Sequence, residues 1–260
     1  MSKWSAYPLR RICCRVSYDG TDYHGWQVQP NLSNTIQGVL QDTLSQFLEE
    51  VIQVDGASRT DAGVHAQDQL VAFTSQHPIR LEGLIKGVNR RLPSSIAMRE
   101  PVEVPLDFQP RFVNQGKIYR YQILSRSTPD PLKERYTYRV PYPLDPERIC
   151  KALEVWVGTH DFKSFAATDG QHQHSIRTIW HASLQHPTPE IFELRFGGNG
   201  FMKQMVRNLV GTAIEVGRGR WTADQVKDIL DARDRTQAGP TAPAKGLILE
   251  HMLWFPPSDK

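Results

Sequence analysis

The chain is poor in the residues that carry metal and redox chemistry. Its 260 residues hold three cysteines, Cys13, Cys14 and Cys150. That number excludes a disulfide framework, and with no CxxC spacing it excludes a cysteine cage for zinc or an iron–sulfur cluster. All three read as buried structural thiols, since reduced cysteine is among the most buried residue types. Long apolar runs are missing too. No uninterrupted stretch approaches the ~18–20 residues that span a bilayer, and Met1 to Arg11 carries charges with no apolar signal-peptide core behind it. The expected compartment is therefore the cytoplasm, with no membrane partner. There is no glycine-rich phosphate loop and no dinucleotide fingerprint, and hence no bound cofactor is expected. Excess charge of one sign is also lacking: 31 Lys+Arg stand against 28 Asp+Glu, a formal net charge of +3.

What is present is a soluble globular mixture, 39% hydrophobic and 23% charged, long enough for one large domain or two ordinary ones. The positive charge is clustered. Between Arg111 and Arg139 lie seven basic residues against Asp130 and Glu134, and similar surpluses occur over Arg80–Arg99 and Arg195–Arg220. Tyr119, Tyr121, Tyr136, Tyr138 and Phe201 are interleaved with them. Basic clusters with aromatic rings suit nucleic acid, where cations neutralise phosphates and rings stack on bases; a solvated surface uses the same residues.

Periodicity orders the first half as β-α-β-β-α-β. Strands are expected at Arg11–Asp19, Val51–Val54, Gln69–Thr74 and Ile96–Val104. Helices are expected from about Asn34 to Glu50, with Ile36, Val39, Leu40, Leu44, Phe47 and Leu48 inward, and over Leu81–Leu92. This is the split βαβ order of a ferredoxin-like unit, an antiparallel sheet with helices on one face and the other face free. After the prolines around Pro101–Pro110 a second round follows. Strands are expected at Lys117–Ser125, Tyr136–Val140, Ile176–Leu184, Ile191–Phe196 and Ile248–Phe255. Helices are expected at Asp145–Val157, at Phe201–Val216, and from Thr222 with Gln225 at the capping-box position. The fold class expected is α+β: two ferredoxin-like (RRM-like) domains, 1–107 and 108–260, with an active-site cleft between them.

The most unusual local sequence is Gly56-Ala57-Ser58-Arg59-Thr60-Asp61-Ala62-Gly63-Val64-His65-Ala66, between two expected strands. It is longer and more specific than a hairpin turn requires. Small flanking residues let a ligand approach, and a cation at Arg59 favours an ionised Asp61, fit for a nucleophile or base. An Asx-turn aspartate beside a surface arginine would use the same residues. On the Phe201–Val216 helix, Lys203 and Arg207 fall together opposite Met202, Met205, Leu209 and Ala213. His65, His172 and His174 lack carboxylate or cysteine partners at ligand spacing and read as surface histidines, not as a metal site.

GASRTDAGVHA resembles the signature loop of the tRNA pseudouridine synthase A family, and five further segments agree in order. They are Tyr18-Asp19-Gly20-Thr21 with Tyr23-His24-Gly25-Trp26-Gln27; Phe108-Gln109-Pro110-Arg111-Phe112; Lys117-Ile118-Tyr119-Arg120-Tyr121; His160-Asp161-Phe162-Lys163-Ser164-Phe165; and Gly200-Phe201 through Met205-Val206-Arg207-Asn208. The resemblance implies isomerisation of uridine to pseudouridine at positions 38, 39 and 40 of the tRNA anticodon stem-loop, by a homodimer. It implies that Asp61 is the nucleophile; attack at C1′, attack at C6 and proton abstraction from C2′ all remain open. It further implies that Arg59 displaces the target base, that Tyr119 lies against the uracil, and that Arg207 pairs with Asp61. Phe108, Arg111, Phe112 and Arg177 would contact tRNA. Two other classes use parts of the same sequence: a non-catalytic tRNA-binding protein, and a cofactor-free hydrolase, which would normally need a second carboxylate.

Overall fold

The computed structural model describes residues 3–30, 34–170 and 174–254. The chain divides into two compact units, one made of residues up to Gln115 together with those from Leu249 onward, the other of 116–248; the sequence had suggested a division at 107/108. Strands and helices are mixed in both.

In the first unit β1 (Arg10–Tyr18) is followed by α1 (Ile36–Leu48), β2 (Val54–Gly56), β3 (His65–Ser75), α2 (Leu81–Asn89), β4 (Ile96–Val104) and the single turn α3 (Pro110–Val113). β1 pairs antiparallel with β3 on one side, from Arg10↔Ser75 to Tyr18↔Ala66, and with β4 on the other. β2 lies antiparallel on the far side of β3. α1 forms because Ile36, Leu40, Leu44 and Leu48 recur at helical spacing and are all buried. The Thr35 hydroxyl caps its start by accepting from Gly38 N, and Glu49 ends it in the left-handed region at φ 54°. Val51 is exposed and the strand there begins only at Val54, because the left-handed turn at Glu49 delays the chain's return to the sheet. Nor is the face opposite the helices free. Ile12 and Cys14 alternate with Arg11 and Cys13, yet all four are buried. Arg11 is covered because its Nε donates to Phe108 O (2.6 Å) and its Nη2 pairs with Asp55 (2.5 Å).

The second unit holds β5 (Lys117–Ser125), β6 (Tyr138–Val140), α4 (Pro146–Trp156), β7 (Gly158–Asp161), β8 (Ile176–Thr188), β9 (Ile191–Gly198), α5 (Met205–Gly217) and α6 (Ala223–Ala232). Its strands run β5-β9-β8-β7 with β6 parallel on β5. Asp145 caps α4 by accepting from Glu147 N and Arg148 N, and Thr222 with Gln225 forms the expected capping box on α6. The helix expected from Phe201 starts four residues later. Gln204 adopts φ 59° at the N-cap, and residues 202–205 form a turn closed by Met205 N donating to Met202 O (3.1 Å). Lys203 is therefore not on the helix and shares no face with Arg207; it is ion-paired to Asp169 (2.6 Å). α5 is buried on every side, and Arg207 alone among its residues is half-buried. Cys150, on α4, is exposed and not the buried thiol expected, whereas Cys13 and Cys14 are buried; the α4 residues turned inward are Ile149, Ala152, Leu153 and Trp156.

The last strand, β10 (Leu247–Met252), runs beside β3. Asp68 of β3, 4% exposed, fastens the segment: its Oδ2 accepts from Met252 N (3.2 Å) and from Arg15 Nη1 (2.5 Å), while Oδ1 accepts from Arg99 Nη2 (2.8 Å). Arg15 Nη2 in turn donates to Trp254 O (2.8 Å), and the Trp254 ring meets Phe108 edge-on at 5.3 Å. No helix among the described residues is long and apolar enough to cross a membrane.

Candidate functional site

Asp61 sits in the connection between β2 and β3, half-buried, with Thr60 buried before it and Arg59 exposed. The loop is held by the segment between β1 and α1. Trp26 N donates to Thr60 O (3.0 Å), and the Tyr18 hydroxyl meets the Thr60 hydroxyl at 2.8 Å in a buried contact. Both the backbone and the side chain next to Asp61 are thereby fixed. Gly25 permits the approach. At φ 88° it has the left-handed backbone that glycine accepts freely, and a Cβ there would lie 2.9 Å from Thr60 O and 3.1 Å from Ala62 N.

The same segment completes α1. The first N–H groups of a helix have no partner within it, and here Ile36 N donates to Gly25 O (3.1 Å) and Gln37 N to Trp26 O (2.9 Å). One short stretch thus caps a helix with its carbonyls and grips the Asp61 loop with an amide. Behind the loop, Ser58 N donates to the Gln69 side-chain oxygen (3.1 Å) and Gln69 Nε2 donates back to Ser58 O (2.6 Å).

His65 is buried, 3% exposed, and so is not a surface histidine. Gly20 N donates to its Nδ1 (3.1 Å), and Asp19 Oδ1 lies 3.1 Å from the same nitrogen; the ring is enclosed because it holds the Asp19–Thr21 turn against the start of β3. His174 is exposed and meets Arg177 Nη1 at 3.1 Å. His172 lies outside the described residues.

Of the residues expected to contact RNA in the first unit, Phe108 is in the core against Trp254, while Arg111 and Phe112 on α3 are exposed, Phe112 by 79%. The three do not make one surface.

In the second unit Tyr119 is buried on β5 with its ring edge-on to Phe201 at 5.3 Å. Arg177, at the start of β8, directs Nη1 onto the carbonyls of His174 (2.9 Å) and Ile176 (2.7 Å), and burial holds its pKa below the usual arginine value. Arg207 donates from Nε to Ala242 O (2.7 Å), and Ala242 N donates back to Arg207 O (3.1 Å). Burial pushes the Tyr121 phenol well above its ordinary pKa, opposed by the nearby Arg207 charge. Tyr121 donates to Pro243 O (2.7 Å). From the sequence alone Thr60, Asn208 and Thr241 had no site role, and Tyr121 figured only as a ring among basic residues. Thr241 lay in a small-residue loop, AGPTAPAKG, whose composition signals only a turn.

Much of the local positive charge is spent internally. Arg120 pairs with Glu193 (3.1 Å), Arg126 with Glu190 (3.4 Å) and Lys133 with Asp130 (2.5 Å), and Lys245 pairs with Glu134.

A family model described as tRNA pseudouridine synthase matches residues 15–113 and 152–254, which contain Asp61 and Arg207 but not Tyr119. A tRNA pseudouridine synthase A of Myxococcus xanthus is 40% identical over 95% of this chain and 92% of its own length. One of Exiguobacterium sibiricum is 41% identical over 97% and 99%, and one of Thermotoga maritima 35% identical over 95% and 100%.

Proposed function

We infer the reaction from one premise: the chain belongs to the tRNA pseudouridine synthase family and isomerises uridine in tRNA to pseudouridine. The bond from C1′ to N1 of the base breaks, the base turns, and C1′ joins C5. C5 gives up its proton and N1 gains one, so atoms and electrons balance with no oxidant, reductant or energy source.

Asp61 is the nucleophile in this reading. The observation that carries it is the anchoring of Thr60 at both its carbonyl and its hydroxyl, which holds the neighbouring carboxylate in place before substrate arrives. Preorganisation of this kind lowers the barrier by removing the need to orient the group during reaction. Exposed Arg59 takes the place of the extruded base and offsets part of the few kcal/mol that extrusion costs. Tyr119 lies against the uracil, and Arg207 supplies a cation to the catalytic machinery. Arg111 and Phe112 contact the RNA from α3, with Phe108 anchoring that turn in the core, and Arg177 takes a phosphate.

The target is the anticodon stem-loop at positions 38 to 40, and the acting form is a cytoplasmic homodimer. Two ferredoxin-like halves underlie it, a reading supported in the first unit by the strand order β4-β1-β3-β2. Asp61→Asn tests the assignment, because it removes nucleophilicity with little change of shape. Carbodiimide labelling of tRNA should show no pseudouridine from this variant while its tRNA affinity stays within about twofold of the parent. Full conversion would sink the nucleophile; abasic product from the parent enzyme would make it a hydrolase.

A further inference from the structure

The carbonyl that receives Arg207 belongs to a short strap, Ala238–Pro243, tied to α5 and β5 at several points. Thr241 Oγ1 donates to Asn208 Oδ1 (2.7 Å), and Arg235 Nη2 donates both to that oxygen (3.0 Å) and to Thr241 Oγ1 (3.0 Å). Asn208 is completely buried and its Nδ2 donates to Phe165 O (2.7 Å), so its amide orientation is set. Gly239 N donates to Thr212 Oγ1 (3.0 Å), and Tyr121 holds Pro243. The strap rides so close over the helix that a Cβ on Gly211 would lie 1.7 Å from Pro240 O.

Most of these bonds are more than a surface loop needs for stability. A loop of small residues joining a 3-10 turn to the last strand could be held by its backbone alone. Instead, buried and half-buried side chains converge on Thr241, the residue directly before Ala242. The carbonyl of Ala242 is then the fixed acceptor for Arg207 Nε. Because the guanidinium is planar, a hydrogen bond at Nε sets the directions of both terminal nitrogens.

We propose that Thr241, Asn208 and Arg235 are positioning residues that orient the Arg207 guanidinium for catalysis through the Ala242 carbonyl. The proposal rests on the reading of Arg207 as part of the catalytic machinery. None of the three touches substrate; they act through the strap. Loss of one tie shifts the carbonyl by a fraction of an ångström to about 1 Å, and misplacements of that size cost up to about 100-fold in rate.

Thr241→Val deletes the hydroxyl and keeps the shape, and Thr241→Ser restores the hydroxyl. Both are assayed for pseudouridine formation across a range of tRNA concentrations, well below their melting temperatures. Thr241→Val should lower kcat about tenfold with KM for tRNA unchanged, and Thr241→Ser should recover most of the loss. Arg235→Gln, which removes the other donor to Asn208, should show the same split. Parent kcat in both Thr241→Val and Arg235→Gln overturns the proposal, as does a loss that Thr241→Ser fails to recover. Arg207→Gln separates the two layers. If it is inactive while Thr241→Val and Arg235→Gln both keep the parent kcat, only the positioning role falls; if it keeps the parent kcat, the catalytic reading of Arg207 falls and the positioning role with it.

Discussion

Tyr18 and Thr60 share one buried hydroxyl pair, and its loss is readable. Tyr18→Phe leaves the Thr60 hydroxyl buried without this partner, which costs about 1–3 kcal/mol. It also loosens the backbone next to Asp61, so kcat should fall alongside the urea midpoint; unchanged kcat at the lowered midpoint would separate stability from positioning. The thiols offer a second residue-scale check. Burial pushes the Cys13 pKa up to about 12 from an ordinary 9.0, and Cys14 is raised in the same way. A folded-state value above the unfolded one means stability that is present below pH 9 and lost as pH rises toward 12. The urea midpoint should therefore fall between pH 9 and 12, and more gently in a Cys13→Ala, Cys14→Ala variant. Partial burial and the Glu154 and Glu147 charges raise the Cys150 thiol, so near pH 8 a thiol reagent should modify this exposed cysteine in the native protein, more slowly than a free thiol, and the other two only on unfolding. The sequence could not separate these three: a cysteine on a helix is buried or exposed according to which face the apolar stripe takes, and Cys150 lies beside Ile149 but off it.

Among the elements, β4 and β5 were readable to the residue. Ile96–Val104 lies between Ser95 and Pro105 with Ile96, Val102 and Val104 as its strand-forming residues, Lys117–Ser125 follows Gly116 and alternates, and the structure keeps both ranges. The capping box at Thr222 was equally plain, because its signal is local chemistry. Removing it with Thr222→Ala should cost about 1 kcal/mol of stability with activity unchanged, as measured by thermal melts and the labelling assay. α5 was harder. Its apolar run continues back through Met202, but the backbone does not, since Gln204 turns left-handed; periodicity alone cannot report a sign of φ. The loop carrying Asp61 was recognisable as unusual from its residues, whereas the grip of Trp26 and Tyr18 on it depends on a fold-level encounter of segments more than thirty positions apart.

For the whole molecule, the slight excess of 31 basic over 28 acidic residues understates what RNA would meet and the local clusters overstate it. Of the seven basic residues between Arg111 and Arg139, at least Arg120, Arg126 and Lys133 already face carboxylates. Arg111 is exposed on a turn beside exposed Phe112. Arg111→Ala should weaken tRNA binding at 50 mM salt and lower the salt slope by about 1, whereas Arg120→Ala should leave binding nearly unchanged and lower stability only modestly, because Glu193 keeps its bonds from Gln122 Nε2 (2.6 Å) and Arg195 Nη2 (3.0 Å). A filter-binding titration across salt concentrations, with melting curves, distinguishes the two.

The first unit is discontinuous in the chain. Residues up to Gln115 are synthesised first, yet the strand that lies beside β3 and the Trp254 ring that closes over Phe108 arrive only after 116–248. At typical rates of translation that interval is roughly 7–27 s. During it, the Asp68 carboxylate lacks its bond from Met252 N, and on that side β3 is paired only by β2, over Val71–Phe73, which leaves a stretch of open edge of the kind that recruits other chains. The nascent protein therefore passes through a stage in which the loop bearing Asp61 is complete but the sheet beneath it is not, an interval in which a chaperone would have something to protect.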